Sequence, residues 1–225
     1  MLLSGKRVFV TGGSRGIGKG ICRIMAENGA DVIAPTRSEL DLSSRDSIKQ
    51  YLEAKADLNP DIFIHCAGTN ILSGIEEISN GILDNVFQVN YFAPVQLLNC
   101  FVKSMKTKKQ GKIVFISSLY ALISRERRIA YSSSKNALTG LMKSLALEVA
   151  DSNILVNAIA PGYVLTDMTK RNLSEAEIKD LTEAIPTKRM QTVEDIANLC
   201  LFLCSNQNNS ITGQLIAVDG GFSIK

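Results

Sequence analysis

Short apolar runs alternate along the chain with stretches whose apolar residues repeat every three or four positions. The short runs predict β-strands at residues 6–11, 31–35, 62–66, 112–117, 155–160 and 214–218. The helical spacing predicts helices at residues 16–28, 44–56, 81–105, 128–150, 174–185 and 193–204. Strands that alternate with helices are typical of βαβ units, which build a parallel sheet. We therefore expect an α/β fold with a doubly wound sheet of six to seven strands and helices on both faces.

The composition indicates an ordinary folded protein. The chain has 225 residues, 45% of them hydrophobic, which is ample for one large core. No linker and no internal repeat divides it, so we expect one domain over residues 1–225. The start lacks the apolar stretch of a signal peptide, and no segment approaches the length of a transmembrane helix. A cytoplasmic protein without membrane association is the expectation.

Charge and cysteine content narrow the possible partners. The net charge is only +3 and the charges are scattered, so no nucleic-acid partner is expected. His65 is the only histidine, and no Cys-x-x-Cys pair occurs, which argues against a metal site. We expect mostly buried free thiols at Cys22, Cys66, Cys100, Cys200 and Cys204.

A glycine-rich loop follows the first predicted strand and leads into the first predicted helix. Its sequence is Thr11-Gly-Gly-Ser-Arg-Gly-Ile-Gly18. Glycines in this position let the backbone approach a pyrophosphate, which the helix N-terminus then holds with free amides and its positive dipole end. The loop therefore predicts dinucleotide binding.

The end of the second strand bears on the choice of cofactor. An NAD site usually has an acid there for the ribose hydroxyls, whereas this chain has Thr36 and Arg37. Arg37 together with Arg15 would clamp a 2′-phosphate through bidentate contacts. The alternative is that both arginines are simply solvated, but NADP(H) is preferred over NAD(H) as the expected cofactor.

Tyr131 and Lys135 are one helical turn apart and therefore lie on one face of a helix. A free phenol titrates near pH 10. A tyrosine that exchanges a proton near neutrality needs a positive charge beside it, and a lysine four residues on supplies one. The pair is a candidate for acid-base catalysis.

With these motifs together, the chain resembles the short-chain dehydrogenase/reductase superfamily over essentially its whole length. The resemblance rests on the glycine loop, Tyr131 and Lys135, and on further motifs in the same order: Asp41-Leu42, Ala67-Gly68, Asn90, Ser117-Ser118, Pro161-Gly162 with Thr166, and Val218-Asp-Gly-Gly221. Residues 166–169, 185–190 and 193–197 are similar to those of 3-oxoacyl-[acyl-carrier-protein] reductases. The family has a Rossmann-type fold.

The resemblance implies catalytic roles for four residues. Tyr131 would protonate the carbonyl oxygen during hydride transfer, and Lys135 would lower the pKa of Tyr131 and hold the nicotinamide ribose. Ser118, rather than Ser117, would donate a hydrogen bond to the substrate oxygen. Asn90 would anchor a water that relays protons, although by its residue type alone it would equally be a structural residue bonded to backbone.

The resemblance also implies the cofactor contacts. Residues of the glycine loop surround the pyrophosphate and the adenosine ribose, while later residues meet the adenine, the nicotinamide ribose and the carboxamide. The expected cofactor-binding residues are Gly12, Ser14, Arg15, Gly16, Ile17, Gly18, Arg37, Asp41, Leu42, Ala67, Gly68, Asn90, Tyr131, Lys135, Pro161, Gly162, Val164 and Thr166.

The chain departs from the family pattern in two places. His65-Cys66-Ala67-Gly68 stands where the family commonly has Asn-Asn-Ala-Gly, and we interpret His65 as a hydrogen-bonded structural residue. Only four residues separate Thr36 from Asp41, where most relatives have a crossover helix and a third strand. Such a crossover needs about a dozen residues. We predict that this helix is absent, that the strand is vestigial or lost, and that the adenine end of the cleft is exposed.

The substrate is less constrained than the reaction. The first expected substrate is a 3-oxoacyl thioester, either as a small molecule or bound to a carrier protein, and the protein is expected to reduce it. A keto-sugar or nucleotide-sugar is the alternative, and a non-catalytic dinucleotide-binding sensor stays open. The segment between Ser118 and Tyr131 is basic at Arg125, Arg127 and Arg128, and it would either bind an anionic partner or form a solvated turn. Residues 166–186 are a candidate lid over the substrate. The long helices at 81–105 and 128–150 resemble those that pair between subunits, which implies a homodimer or homotetramer.

Overall fold

Six parallel strands form one sheet in the order β2-β1-β3-β4-β5-β6. The computed structural model describes residues 1–166, 169 and 174–225. Each strand lies within one or two residues of its predicted position. Their bounds are β1 Arg7–Thr11, β2 Asp31–Ile33, β3 Ile62–His65, β4 Gly111–Ile116, β5 Ile154–Pro161 and β6 Leu215–Val218.

Helices cover both faces of this sheet, as predicted. They are α1 Gly16–Glu27, α2 Arg45–Ala54, α3 Asn80–Phe87, α4 Ala93–Lys108, α5 Ile129–Glu148, α6 Glu175–Ala184 and α7 Val193–Cys204. Alternate residues of each strand point to opposite faces. Phe9 of β1 packs into the core beneath α2, α4 and α5, while Val8 and Val10 pack into the core beneath α1 and α7. Because the strands are parallel and packed between these two cores, their carboxyl ends lie together at one edge of the sheet.

The helix predicted at residues 81–105 is interrupted. The structure has α3, then a π-helical turn at Gln88–Phe92, and then α4. The chain is therefore helical over the whole predicted stretch, but the apolar spacing did not predict the π-helical turn. Such turns occur frequently at functional sites, and this one carries Asn90.

The shortened connection after β2 is confirmed. Residues 34–44 form neither helix nor strand, and β2 is the edge strand of a six-stranded sheet. The chain turns through hydrogen bonds from Glu39 N and Leu40 N to Thr36 O, and the buried side chains of Leu40 and Leu42 anchor the connection to the core.

The predicted lid is described only in part. Residues 167, 168 and 170–173, which include Asp167 and Met168 of the motif after Thr166, lie outside the described residues. Beyond them, α6 begins with a reciprocal cap in which Ser174 Oγ accepts from Glu177 N and the Glu177 carboxylate accepts from Ser174 N.

Neither a membrane-spanning helix nor a metal cluster is found in the part of the chain that the structure describes. None of its helices combines the length and apolarity that crossing a bilayer requires. Within the same residues, no three His, Cys, Asp or Glu side chains are grouped to hold a metal ion. All five cysteines are free thiols; two are buried (Cys200 and Cys204), two are half-buried (Cys22 and Cys66) and Cys100 is exposed, so fewer are buried than expected.

Candidate active site

A cleft of about 900 Å³ opens at the carboxyl ends of β1, β3, β4 and β5. This is the edge at which ligands bind in open α/β sheets. The predicted residues that line it are Gly12, Ser14, Arg15, Gly16, Ile17, Gly18, Arg37, Asp41, Leu42, Ala67, Gly68, Ser118, Tyr131, Lys135, Pro161, Gly162, Val164 and Thr166. Asn90 is buried beneath this surface and does not line the cleft.

The glycine loop forms a cradle that side chains would fill. A Cβ on Gly12 would lie 2.7 Å from Ala67 N, and a Cβ on Gly18 would overlap the Gly12 carbonyl oxygen. No side chain caps the N-terminus of α1, and its first turn contains no acid, whereas Ser44 caps α2. The free amides and the dipole of α1 therefore face the cleft, which fits a pyrophosphate.

Ser118, Tyr131 and Lys135 meet at the other end of the cleft. Tyr131 and Lys135 lie on α5, and the Lys135 Nζ is 5.7 Å from the centre of the Tyr131 ring. The same Nζ donates to the carbonyl of Ile116, at the end of β4, over 2.9 Å. Ser118 follows β4, and its Oγ accepts from Tyr120 N at 3.2 Å. The end of β4 thus brings the serine to the face of α5 that carries the other two groups.

Two family models match the chain. A model described as short chain dehydrogenase matches residues 6–44, and one described as Enoyl-(Acyl carrier protein) reductase matches residues 34–223. The chain belongs to the short-chain dehydrogenase/reductase family. The two matches overlap at residues 34–44, which is the shortened connection.

Individual relatives of this short-chain dehydrogenase/reductase agree with the match. The 3-oxoacyl-[acyl-carrier-protein] reductase FabG of Buchnera aphidicola is 34% identical, with 98% of each chain covered. The L-xylulose reductase of Caenorhabditis elegans is 32% identical, covering 97% of this chain and 96% of its own. A crystal structure of a putative NAD(P) dependent gluconate 5-dehydrogenase from Beutenbergia cavernae with bound NADP has a TM-score of 0.91 at 30% identity, over 99% and 98% of the chains. The protein is an NAD(P)-dependent oxidoreductase of this family.

In this short-chain dehydrogenase/reductase, burial raises the pKa of Tyr131, opposed by interactions with the Ser118 hydroxyl and the Arg128 charge. The Lys135 charge is not among the causes of this shift; the Lys135 Nζ lies over the Tyr131 ring and donates its hydrogen bond to the Ile116 carbonyl. Burial also lowers the pKa of Lys135 to about 8. A phenol whose pKa is raised keeps its proton at neutral pH.

Asn90 connects three parts of the fold. Its Oδ1 accepts from Thr69 N at 2.9 Å, and its Nδ2 donates to Thr69 O at 3.0 Å and to Ser134 Oγ at 2.9 Å. Thr69 lines the cleft, and Ser134 precedes Lys135 on α5. Asn90 thus links α5 to the loop after β3.

His65 is buried, as a structural residue would be. Its Nδ1 is 2.9 Å from the Thr11 hydroxyl, which also accepts from Cys66 N and Ala67 N. Burial lowers the pKa of His65 to about 3, with the Lys135 charge contributing. The imidazole is therefore neutral across the physiological range. Thr11 thus joins β1 to the chain after β3. It is the first residue of the glycine-loop motif, and the sequence alone gave it no role.

Arg37 lines the cleft at the shortened connection after β2, with 84% of its side chain accessible. Its Nε is 3.8 Å from Asp41 Oδ1. Hydrogen bonds from Ser43 hold the pKa of Asp41 below its usual value, with the Arg37 charge contributing. Further residues that the sequence reasoning missed line the cleft from the loop after β3 and from α3: Thr69, Asn70 and Asn85. Their polar types are common in loops and gave no distinct signal.

Proposed function

We propose that this protein is an NADPH-dependent ketone reductase, with 3-oxoacyl thioesters as its first substrate class. The convergence of Ser118, Tyr131 and Lys135 in the cleft that contains the glycine cradle carries the proposal. The similarity to a 3-oxoacyl-[acyl-carrier-protein] reductase at 34% identity supports the substrate class.

In this proposal each side chain has its own role in the reduction. When bound, NADPH supplies the hydride that the carbonyl carbon accepts. Tyr131 donates its hydroxyl proton to the carbonyl oxygen, and Ser118 donates a hydrogen bond to the same oxygen, stabilising the charge that develops on it. Lys135 keeps a positive charge beside the phenol and binds the nicotinamide ribose hydroxyls. Asn90 holds the loop and α5 in register, and it anchors a water for proton return to Tyr131.

The preference for NADP(H) rests on Arg15 and Arg37. Both line the adenine end of the cleft, and no acid stands directly after β2. The Asp41 carboxylate near Arg37 orients the guanidinium without enclosing it, because Arg37 stays largely exposed. Arg37→Ala should weaken NADPH binding more than NADH binding, and equal losses for both cofactors would contradict the preference.

A sugar-type substrate is the second candidate. The neighbour from Beutenbergia cavernae, described as a gluconate 5-dehydrogenase, favours it at 30% identity and a TM-score of 0.91. A keto-sugar or nucleotide-sugar would use the same serine, tyrosine and lysine, so only the substrate side of the cleft distinguishes the candidates.

NADPH oxidation with an acetoacetyl thioester tests the proposal. Wild type and Tyr131→Phe are assayed side by side at neutral pH, while cofactor binding is followed by NADPH fluorescence. Turnover by wild type alone, with both proteins binding NADPH, is the expected result. If neither turns over while both bind NADPH, the thioester assignment falls and keto-sugars are tested next.

We also propose one cytoplasmic domain over residues 1–225 that assembles as a homodimer or homotetramer through α4 and α5. Exposed apolar side chains on this side support it, because Leu147 at the end of α5 is 84% exposed and Phe92 precedes α4 at 38%. Sedimentation of wild type and Leu147→Glu tests the assembly, and a monomeric wild type would contradict it.

A further inference from the structure

The basic segment between Ser118 and Tyr131 divides into two parts in the structure. Arg127 is engaged by a carboxylate, since its two terminal nitrogens donate to Glu77 at 3.0 and 2.6 Å. Arg125 and Arg128 have no such partner. Among the described residues, no carboxylate oxygen lies within 4.0 Å of either guanidinium group. Glu126 lies between them in sequence and pairs with neither.

Both unpaired guanidinium groups face aromatic side chains next to Tyr131. The Arg128 Cζ is 5.2 Å from the centre of the Tyr120 ring, and that ring packs edge-on against the Tyr131 ring with centres 6.3 Å apart. The exposed Arg125 is close enough to the Tyr120 and Tyr163 hydroxyl groups for them to raise its pKa, and these two hydroxyl groups are 3.3 Å apart.

This cluster is held in place by the fold. Tyr120 is buried in the short turn after Ser118, and Tyr163 follows Gly162 of the cleft and packs edge-on against Phe222 at 5.2 Å. Arg128 directly precedes α5, which carries Tyr131. Two hydroxyl groups and the Arg128 charge therefore lie around the Tyr120 ring, next to Tyr131, and the exposed Arg125 stands beside them.

We propose that Arg125 and Arg128, with the hydroxyl groups of Tyr120 and Tyr163, form an anion-binding subsite that selects carbonyl substrates carrying a negatively charged group. The inference rests on the proposed ketone reductase activity and deepens it. A guanidinium group binds carboxylate or phosphate oxygens through paired hydrogen bonds. Without an internal carboxylate to neutralise them, the two groups are available to a ligand. The electrostatic effect of Arg128 on the pKa of Tyr131 agrees with their closeness.

The anion has two possible sources, and three related 3-oxo compounds distinguish them. Acetoacetate has a carboxylate next to the reacting ketone, acetoacetyl-coenzyme A has distant phosphates, and ethyl acetoacetate is neutral. The measurement is the ratio of kcat/KM for each charged compound to that for the neutral ester, in wild type, Arg125→Gln and Arg128→Gln. Arg127→Gln is the matched control, because it removes an equal charge from the same segment.

We expect Arg125→Gln and Arg128→Gln to lower this ratio by about tenfold or more, because each loses a charge-assisted hydrogen bond to the substrate. The control Arg127→Gln should leave the ratio within about twofold, because changes of surface charge have small effects. A fall for acetoacetate alone assigns a carboxylate, and a fall for the coenzyme A ester alone assigns a phosphate. An unchanged ratio, or equal changes in all three variants, overturns the subsite.

Binding of the charged compounds is measured as well, so that a failure of the proposed reductase activity can be distinguished from a failure of the anion-binding subsite. Titration calorimetry of acetoacetate and of acetoacetyl-coenzyme A into the NADP⁺-loaded protein reports the subsite without turnover. If no compound is reduced but a charged one binds to wild type and about tenfold more weakly to the Arg128→Gln variant, the reductase assignment fails and the subsite stands. If neither charged compound binds to wild type, the subsite is overturned.

Discussion

Replacing Lys135 with methionine should make the folded protein more stable although it removes a group that the proposed mechanism uses. The ammonium group is buried, and its Nζ has one hydrogen bond, to Ile116 O. Burial lowers its pKa from 10.5 to about 8, and one pKa unit corresponds to about 1.4 kcal/mol. The folded state therefore holds the charge at a cost of about 3 kcal/mol at neutral pH. Methionine removes that cost and also the hydrogen bond, leaving a net gain of about 1–2 kcal/mol.

The pH dependence of the free energy of unfolding tests whether the buried Lys135 charge causes this difference in stability. Below pH 8 the lysine is charged in both states, so the cost is fully present. Between about pH 8 and 10.5 the folded state has lost the proton and the unfolded state retains it, so the wild type gains stability as the pH rises. Between pH 7 and 9.5 this gain is about 2 kcal/mol, and the Lys135→Met variant lacks it.

Urea unfolding of the cofactor-free protein at pH 7 and at pH 9.5 measures the effect. Lys143→Met is the control, because Lys143 is an exposed lysine on the same helix. The free energy of unfolding of Lys135→Met minus that of wild type should fall by about 2 kcal/mol at the higher pH, from a gain to no difference or a small loss, while the difference for the control stays constant. A Lys135→Met variant that is less stable at both pH values, or a gap that does not change, would refute the reasoning.

Three other substitutions test the packing and the electrostatics, by urea unfolding or by kinetics. Gly20→Ala should destabilise by about 1–3 kcal/mol, because the new Cβ overlaps Val193 Cγ1 between α1 and α7; Val193→Ala in the same chain should recover part of the loss, and no recovery would place the strain elsewhere. Thr11→Val should cost about 1–3 kcal/mol, because Ala67 N loses its acceptor and the buried His65 Nδ1 loses its partner, whereas Thr11→Ser should stay near wild type. His65→Asn should leave the pH dependence of turnover between pH 5 and 8 unchanged, because the pKa of His65 is about 3; a shifted profile would give the histidine a catalytic role.

The strands were predictable because each is a short apolar run buried within a parallel sheet. β3 illustrates this, with all four residues of Ile62–His65 buried. The glycine loop was predictable for a similar reason, since its residue types satisfy a local geometric need. In both cases the signal lies within a few neighbouring residues.

The features that were not predicted depend on contacts between distant residues. The π-helical turn is accompanied by hydrogen bonds from Asn90 Nδ2 to the Thr69 carbonyl and to Ser134 Oγ, and the apolar spacing of residues 81–105 does not contain that information. The orientation of Lys135 likewise depends on the carbonyl of Ile116, nineteen residues earlier. Spacing along a helix placed the lysine on the correct face but did not determine where its ammonium group points.

The short connection after β2 has a consequence for solubility. Without a further strand beyond it, β2 is an edge, and an exposed edge strand is a template for pairing with another chain. Here the strand is only three residues long, it begins with the exposed charge of Asp31, and Pro35 follows two residues after its end. Short length, charge and proline are the devices that prevent edge-to-edge aggregation. Substituting Asp31 and Pro35 with valine would extend an apolar edge and should make the protein aggregate during refolding.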